Sequence, residues 1–175
     1  PENAQLGKAM LSAEYAFREK QWLSALKGTD KFQGFESIIK NSQNESKQSR
    51  LAKIYAGICY MQLKEFENAI NTLSSINKTI DFTMSAVIPM LIGDAYSMEQ
   101  NPQKAIEYYK IGLQQSNSKF YSCIILHKLA LHYLAQGDNA KAKAACDELT
   151  KIDVSHHHGQ VTTEIQKMLE VTNND

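Results

Sequence analysis

The stretch Ala56-Gly57-Ile58-Cys59-Tyr60 places a small residue three positions before a tyrosine, and the same spacing occurs twice more along the chain. The later copies are Ile92-Gly93-Asp94-Ala95-Tyr96 and Leu129-Ala130-Leu131-His132-Tyr133, so the three tyrosines lie 36 and 37 residues apart. Similarity at a fixed period of this size is typical of helical repeat proteins. The three stretches therefore predict a repeated unit.

A second small residue recurs with the same period as the tyrosines. An alanine follows each tyrosine by nine residues, and the three are Ala69, Ala105 and Ala142. Small residues are needed where two helix backbones approach closely, so each unit is predicted to be a helix A, a short turn and a helix B that cross here. Asn101 with Pro102, and Gly137 with Asp138, have the chemistry of helix boundaries at the predicted turn.

Composition limits the class of protein. The chain has 175 residues and is 43% hydrophobic, which suits one domain with a real core. Nineteen basic and 19 acidic side chains balance, which argues against nucleic acid or an anionic membrane surface as the main partner. Eight glycines and three prolines favour long helices over a many-stranded sheet. No apolar run approaches the roughly 18 to 20 residues of a membrane-spanning helix, so membrane attachment would need an anchor preceding Pro1.

Motifs for catalysis or cofactor binding are not found. The sequence lacks nucleotide-binding glycine motifs, zinc-protease motifs and nucleophile elbows. The three cysteines are widely spaced and are interpreted as small core residues. Cys123 and His127 share a helix face but lack the further ligands that a zinc site needs, and the histidine run at 156–158 is interpreted as solvated. No enzyme activity, catalytic residue, cofactor or metal site is predicted.

Three sets of residues resemble the signature of tetratricopeptide (TPR) repeats. They are Gly57, Tyr60 and Ala69; Gly93, Tyr96 and Ala105; and, more weakly, Tyr133, Gly137 and Ala142. The departures are a period of 36 to 37 residues, no late-repeat proline, and Ala130 where glycine is usual. The resemblance implies an all-α, right-handed TPR-like α-solenoid of about four helical pairs with a C-terminal capping helix.

The chain is expected to form a single domain with this internal division: 1–47 is a degenerate first unit, 48–82, 83–118 and 119–153 are TPR-like units, and 154–175 is a capping helix and tail. The first unit is longer than the others because Ala25 precedes Ala69 by 44 residues, so segment 32–41 is predicted to add a helix or to extend the second one. The polar segment 41–49 is expected to be a solvated loop. Val161, Ile165 and Leu169 share one face of the predicted capping helix.

The order of the units is also similar to that of membrane-anchored bacterial TPR proteins associated with the Sec translocon. That resemblance implies an ancillary translocon or chaperone-network component, tethered by an N-terminal anchor on the periplasmic side of the inner membrane in the bacterial cell envelope.

In a TPR stack the A helices line a concave face, and the residues six and three positions before and one and four positions after each small residue point into it. These offsets, with a neighbouring methionine, select the predicted partner-binding groove: Leu51, Ile54, Ile58, Met61, Val87, Met90, Asp94, Met98, Ile124, His127 and Leu131. The set is mostly apolar and lacks the Lys, Asn and Arg with which some TPR domains hold a peptide carboxylate.

Two functions fit this pattern. The first is a non-enzymatic protein-protein interaction module that binds a protein or peptide through an apolar segment. The alternative is a structural homo-oligomer, in which the groove is filled by the chain's own helix or by a second copy. Neither function needs a cofactor or nucleic acid.

Overall fold

The structure is a computed structural model that describes residues 2–42, 46–76 and 85–152, with side chains from residue 7 onward. Within these ranges the chain is all α, which confirms the predicted class. The helices are α1 Glu2–Arg18, α2 Trp22–Lys27, α3 Phe35–Asn41, α4 Lys47–Gln62, α5 Phe66–Ser74, α6 Val87–Met98, α7 Pro102–Gln115, α8 Lys119–Ala135 and α9 Asn139–Lys151. The predicted capping helix and the histidines at 156–158 lie outside the described residues.

The chain divides into two compact units. The first contains α1 to α5 and the end of α6 from Asp94 onward. Its core is formed by small and large apolar side chains of α1 to α4, including Leu26, Phe35 and Cys59. An aromatic group joins three of these helices, because the ring of Tyr55 stacks on Phe35 at 5.1 Å between centroids and lies 4.8 Å from Phe17.

The second unit contains the start of α6 up to Gly93, followed by α7, α8 and α9. Helix α8 packs against both α7 and α9. The contact with α9 is made by small and medium side chains, among them Cys123, Ala130, Ala142 and Cys146, which are all buried. Small residues therefore set the spacing of these helices, as predicted.

The predicted close crossings are present. A Cβ atom added to Gly57 would lie 2.7 Å from Cγ of Leu73, which follows Ala69 by one helical turn. A Cβ atom added to Gly93 would lie 2.6 Å from the ring of Tyr109, again one turn after the marker alanine Ala105. Such distances leave no room for a side chain at either glycine.

Four A-to-B turns share one backbone geometry. Each has a residue of positive φ just after the A helix, and these residues are Lys20 (58°), Lys64 (64°), Gln100 (65°) and Gly137 (74°). The amides of Gln21, Glu65 and Asp138 donate to carbonyl oxygens five residues earlier, as in a Schellman ending. Asn101 and Asp138 then cap α7 and α9, as their sequence predicts. The α1–α2 turn therefore resembles the later turns despite its weak sequence signature.

The second helix of the first hairpin is interrupted. Helix α2 ends at Lys27 and α3 begins at Phe35, and an isolated bridge joins Gly28 to Gln33. A Cβ atom on Gly34 would overlap the amide nitrogen of Gly28, so only glycine fits where the two ends of this loop meet. The loop adds residues without lengthening the hairpin, which explains the step of 44 residues between marker alanines. The predicted additional helix is α3, within segment 32–41.

Segment 41–49 was expected to be loop throughout, and this is wrong at both ends. Helix α3 includes Asn41, and α4 starts at Lys47. The hydroxyl of Ser46 caps α4 by accepting a hydrogen bond from the amide of Ser49 at 3.1 Å, and Ser49 is itself buried. The helix start was not predicted because serine is common in loops and is also a preferred N-cap residue.

Among the helices of the described ranges, none combines the length and apolar character required to cross a bilayer.

Candidate partner-binding surface

The first unit contains six of the predicted groove residues. Met98, at the end of α6, is the most exposed of them at 44%. Leu51, Ile58 and Asp94 are half-buried. Ile54 and Met61 are buried. Of the predicted groove residues in this unit, Met98 is therefore the accessible one, and Leu51, Ile58 and Asp94 are partly accessible.

The second unit contains the other five. Leu131 is exposed at 39%, and Ile124 and His127 on the same helix are half-buried. Val87 and Met90 are buried, at 9% and 8%. Helix α8 therefore presents the accessible members in this unit, while the members at the start of α6 are interior.

Burial separates the eleven residues into two groups. Ile54, Met61, Val87 and Met90 have less than about a tenth of their surface accessible, so in this conformation they offer little contact area to a partner. A charged replacement at Met90 would bury a carboxylate and test folding instead of binding. Variants that test binding should therefore be made at Met98 or Leu131.

The candidate nucleophiles are not placed for chemistry. Cys59, Cys123 and Cys146 are buried, and burial raises the pKa of the Cys59 thiol to about 12. Burial also raises the pKa of Cys123, although the nearby charge of Lys119 opposes this. In the part of the chain that the structure describes, no three His, Cys, Asp or Glu side chains are grouped so as to hold a metal ion.

A polar network joins α2, α3 and α4 beside the first core. Lys27 Nζ and the hydroxyl of Tyr60 each donate to Oε1 of Glu36 at 2.6 Å. Partial burial opposes ionisation of Glu36, but these two hydrogen bonds and the lysine charge outweigh it, so the pKa of Glu36 lies below its ordinary value. Burial and the bond to Glu36 raise the pKa of Tyr60. The repeat tyrosine therefore stabilises the helix packing here.

A second network surrounds Tyr109 in the other unit. His132 approaches the Tyr109 ring edge-on at 5.2 Å, and Lys128 Nζ lies 5.8 Å from the ring centroid. The side chain of Tyr109 is buried, and Nδ1 of His132 lies 2.8 Å from the carbonyl oxygen of Lys128. These contacts hold α8 in one rotational setting on α7.

Several exposed apolar residues were missed by the sequence reasoning. Phe120 at the start of α8 is 58% exposed, and Leu11 and Tyr15 on α1 are each 64% exposed. Leu23 on α2 is 58% exposed. Leu11 and Tyr15 lie four residues apart, so a second apolar stripe on α1 was the available signal. Phe120 lies four residues before Ile124 and extends the predicted stripe of α8 by one turn.

The fold is similar to two crystal structures of MamA, a TPR-repeat protein. The first shares 18% sequence identity with this chain, the match covers 96% of this chain and 90% of the MamA chain, and the TM-score is 0.66. The second also shares 18% identity, covers 90% of each chain, and gives a TM-score of 0.63. No family model and no curated protein matches the sequence. The likeness establishes a TPR-like fold and gives no support to a specific translocon subunit.

Proposed function

We propose that this chain is a non-enzymatic protein-interaction module that binds an apolar peptide or helix through accessible residues of its A helices. The observation that carries the proposal is the chemistry of the accessible side chains at the predicted offsets. These are Leu51 and Ile58 on α4, Met98 on α6, and Ile124 and Leu131 on α8. All of them are apolar, so burial against a second apolar surface is the interaction that they favour.

The same residues argue against recognition of a free carboxylate. A carboxylate is bound through charge-assisted hydrogen bonds from Arg, Lys or Asn side chains. Leucine, isoleucine and methionine cannot donate such bonds. Methionine is flexible and polarizable, so Met98 suits contact with more than one sequence.

The expected affinity is modest. Four apolar anchors at about 2 kcal/mol each would supply about 8 kcal/mol, against an association cost of at least about 4 kcal/mol. The difference, at most about 4 kcal/mol, corresponds to a dissociation constant of about a millimolar or weaker. Avidity or co-localisation with the partner would strengthen the contact.

The proposal of a non-enzymatic role is supported by the state of the candidate nucleophiles. A reactive cysteine needs an accessible thiolate, whereas burial raises the pKa of Cys123 and Cys146. The TPR-like fold is also typical of scaffolds that act by binding.

The alternative is a homo-oligomer in which a second copy covers the apolar residues. Exposure of Leu11 and Tyr15 on α1 gives this alternative a specific surface. Light scattering over about a hundredfold range of concentration separates the two. A constant monomer mass supports the interaction module, and a mass that rises to a stable dimer or larger assembly supports the alternative.

The interaction itself is tested with two matched glutamate variants. Leu131→Glu introduces a charge on the proposed surface, and Ala144→Glu introduces one at an exposed position of α9 outside it. Circular dichroism should show both variants folded. Proteins that copurify with the wild type should be lost with Leu131→Glu and retained with Ala144→Glu. Equal recovery with both variants would contradict the proposed surface.

A finer part of the proposal is an ancillary translocon or chaperone-network role on the periplasmic side of a bacterial inner membrane. This part rests on the sequence resemblance alone. It predicts that the copurifying proteins include membrane translocon components.

A further inference from the structure

Met98 differs from the other described methionines in its accessibility. Its exposed fraction is 44%, whereas Met10, Met61 and Met90 are exposed at 5%, 4% and 8%. The chain contains six methionines, and the remaining two lie outside the described residues. Among the four that the structure describes, a reagent that attacks the thioether of the folded protein therefore meets Met98 first.

The exposure of Met98 follows from its position in the repeat. Each of the four A-to-B turns has a residue of positive φ just after the A helix, and Met98 lies two positions before the one at Gln100. The equivalent positions in the other three hairpins are Arg18, Gln62 and Ala135, and all three are exposed. Solvent therefore reaches this position in each of these hairpins.

The hairpin does not require a methionine at this position. Arginine, glutamine and alanine occupy it in the other three hairpins, so neither a long nor an apolar side chain is needed for the helix packing. Nearly half of the surface of Met98 is accessible, so little of the side chain contributes to the core. Substitution of Met98 should therefore leave the fold intact, which allows the role of its side chain to be tested separately from stability.

The reaction that distinguishes methionine from other apolar residues is oxidation of its thioether. Sδ attacks one oxygen of hydrogen peroxide, the S–O bond forms as the O–O bond breaks, and the second oxygen takes up the proton of the first and leaves as water. Sulfur loses two electrons and the peroxide gains them. The product, methionine sulfoxide, is polar, and sulfoxide reductases return it to the thioether.

Met98 is the only sulfur-containing side chain among the accessible residues of the proposed surface, because the others are leucine and isoleucine. The cysteines do not compete for the oxidant in the folded protein, since Cys59, Cys123 and Cys146 are all buried. A mild peroxide treatment should therefore change the polarity of the surface at Met98 and leave its other residues unchanged.

We propose that Met98 is an oxidation site that controls binding at the proposed surface, so that the thioether form binds the apolar segment of a partner and the sulfoxide form releases it. This proposal rests on the proposed function and adds regulation by a peroxide. A methionine side chain that is buried on binding contributes a factor of about ten or more to the affinity, and a sulfoxide loses this contribution because its oxygen must give up water. Oxidation should therefore weaken binding at least about tenfold.

The first measurement is peptide mapping by mass spectrometry after the full chain has been treated with hydrogen peroxide. Met98 should be oxidised at least about fivefold faster than Met10, Met61 and Met90, because susceptibility follows exposure. In urea the four rates should become similar. Oxidation of Met98 no faster than that of the buried methionines would overturn the proposal.

The second measurement compares the proteins that copurify with the immobilised full chain before and after peroxide treatment. The treated wild type should lose them, and incubation with methionine sulfoxide reductases should restore them. Met98→Leu should retain them after the same treatment, because leucine is apolar and is not oxidised. Met98→Gln, shown by circular dichroism to be folded, should lose them without treatment, because its side chain is polar like the sulfoxide.

The matched control is the double variant Met98→Leu/Gln62→Met. It has as many methionines as the wild type, but the exposed one is at the equivalent position of the preceding hairpin. Peroxide should oxidise position 62 about as fast as it oxidises Met98 in the wild type, since both positions are exposed. The copurifying proteins should nevertheless be retained, because the native residue at position 62 is already polar.

The outcomes distinguish this proposal from the proposed function. If Leu131→Glu loses the copurifying proteins and peroxide treatment of the wild type does not, the oxidation site fails and the proposed function stands. If treated Met98→Leu loses them as the treated wild type does, oxidation elsewhere is responsible and the proposal is again overturned. If Leu131→Glu also retains them, both fail.

Discussion

Replacing Gly93 with alanine should destabilise the protein, although alanine is the better helix former. The added Cβ atom would lie 2.6 Å and 2.7 Å from two ring carbons of Tyr109 and 3.2 Å from the carbonyl oxygen of Ala105. Ordinary carbon contacts are about 3.5 to 4.0 Å, so the overlap with the ring is about 1 Å. Tyr109 is 1% exposed and is held by contacts to His132 and Lys128, so it has little room to move.

The magnitude follows from two opposing terms. Alanine in place of glycine in a helix interior gains about 1 kcal/mol. Overpacking costs about 1 to 3 kcal/mol, and the upper half of this range applies here because the ring is enclosed. The net loss is about 1 to 2 kcal/mol, which corresponds to a fall in Tm of about 2 to 8 °C for a chain of this size.

The matched control is Gly7→Ala. Gly7 also lies in a helix, but a Cβ atom there would meet no atom within 4 Å, so this variant should gain up to about 1 kcal/mol. Thermal and urea unfolding measure both variants. In a Tyr109→Leu background the cost of Gly93→Ala should fall by at least about 0.5 kcal/mol. The reasoning is refuted if Gly93→Ala raises the stability as much as Gly7→Ala does.

Four further predictions concern turns, a cap, the polar network and the thiols. Lys64→Gly should stabilise the fold by about 1 kcal/mol, because φ of 64° strains a side chain, while Lys143→Gly within α9 should destabilise it by a similar amount in the same urea assay. Asn101→Ala should cost about 1 kcal/mol by removing the oxygen that caps α7, and Asn101→Asp should retain most of the stability, as calorimetry would show. In the folded protein the pKa of Glu36 lies below its ordinary value of 4.5. The ionised carboxylate therefore contributes its full stabilisation above pH 4.5, and this contribution is lost as the pH falls through the lowered folded pKa. Glu36→Gln should lower the urea midpoint at neutral pH and change it little in strong acid. Cys59 and the other two buried thiols should react with a thiol reagent only slowly at pH 8 until denaturant is added, and rapid native labelling would contradict their burial.

The sequence was sufficient to predict the repeating helical hairpins because the residues that set their spacing are small and periodic. At Gly57, Gly93 and Ala105 a small side chain allows two helix backbones to approach closely. The spacing of these residues along the sequence therefore indicates where the helices cross. The caps at Asn101 and Asp138 could be predicted for the same reason, since side chain and backbone interact locally.

The remaining features depend on tertiary context. Lys20, Lys64 and Gln100 adopt positive φ without the glycine that usually indicates it, so their turns could not be recognised individually. The offsets that select groove residues fix a direction on the helix, but burial depends on the neighbouring helices. Met90 and Leu131 were therefore equivalent in sequence and differ in the structure, with one buried and the other exposed.

The central claim is that a partner binds to accessible apolar residues on the A helices, among them Leu131 of α8. A photo-cross-linking amino acid introduced at position 131 tests it most directly, with the same substitution at position 144 as the control. The account predicts cross-links from position 131 to an apolar segment of a different protein, and few or none from position 144. Equal labelling from both positions, or cross-links from position 131 only to other copies of this chain, would contradict it.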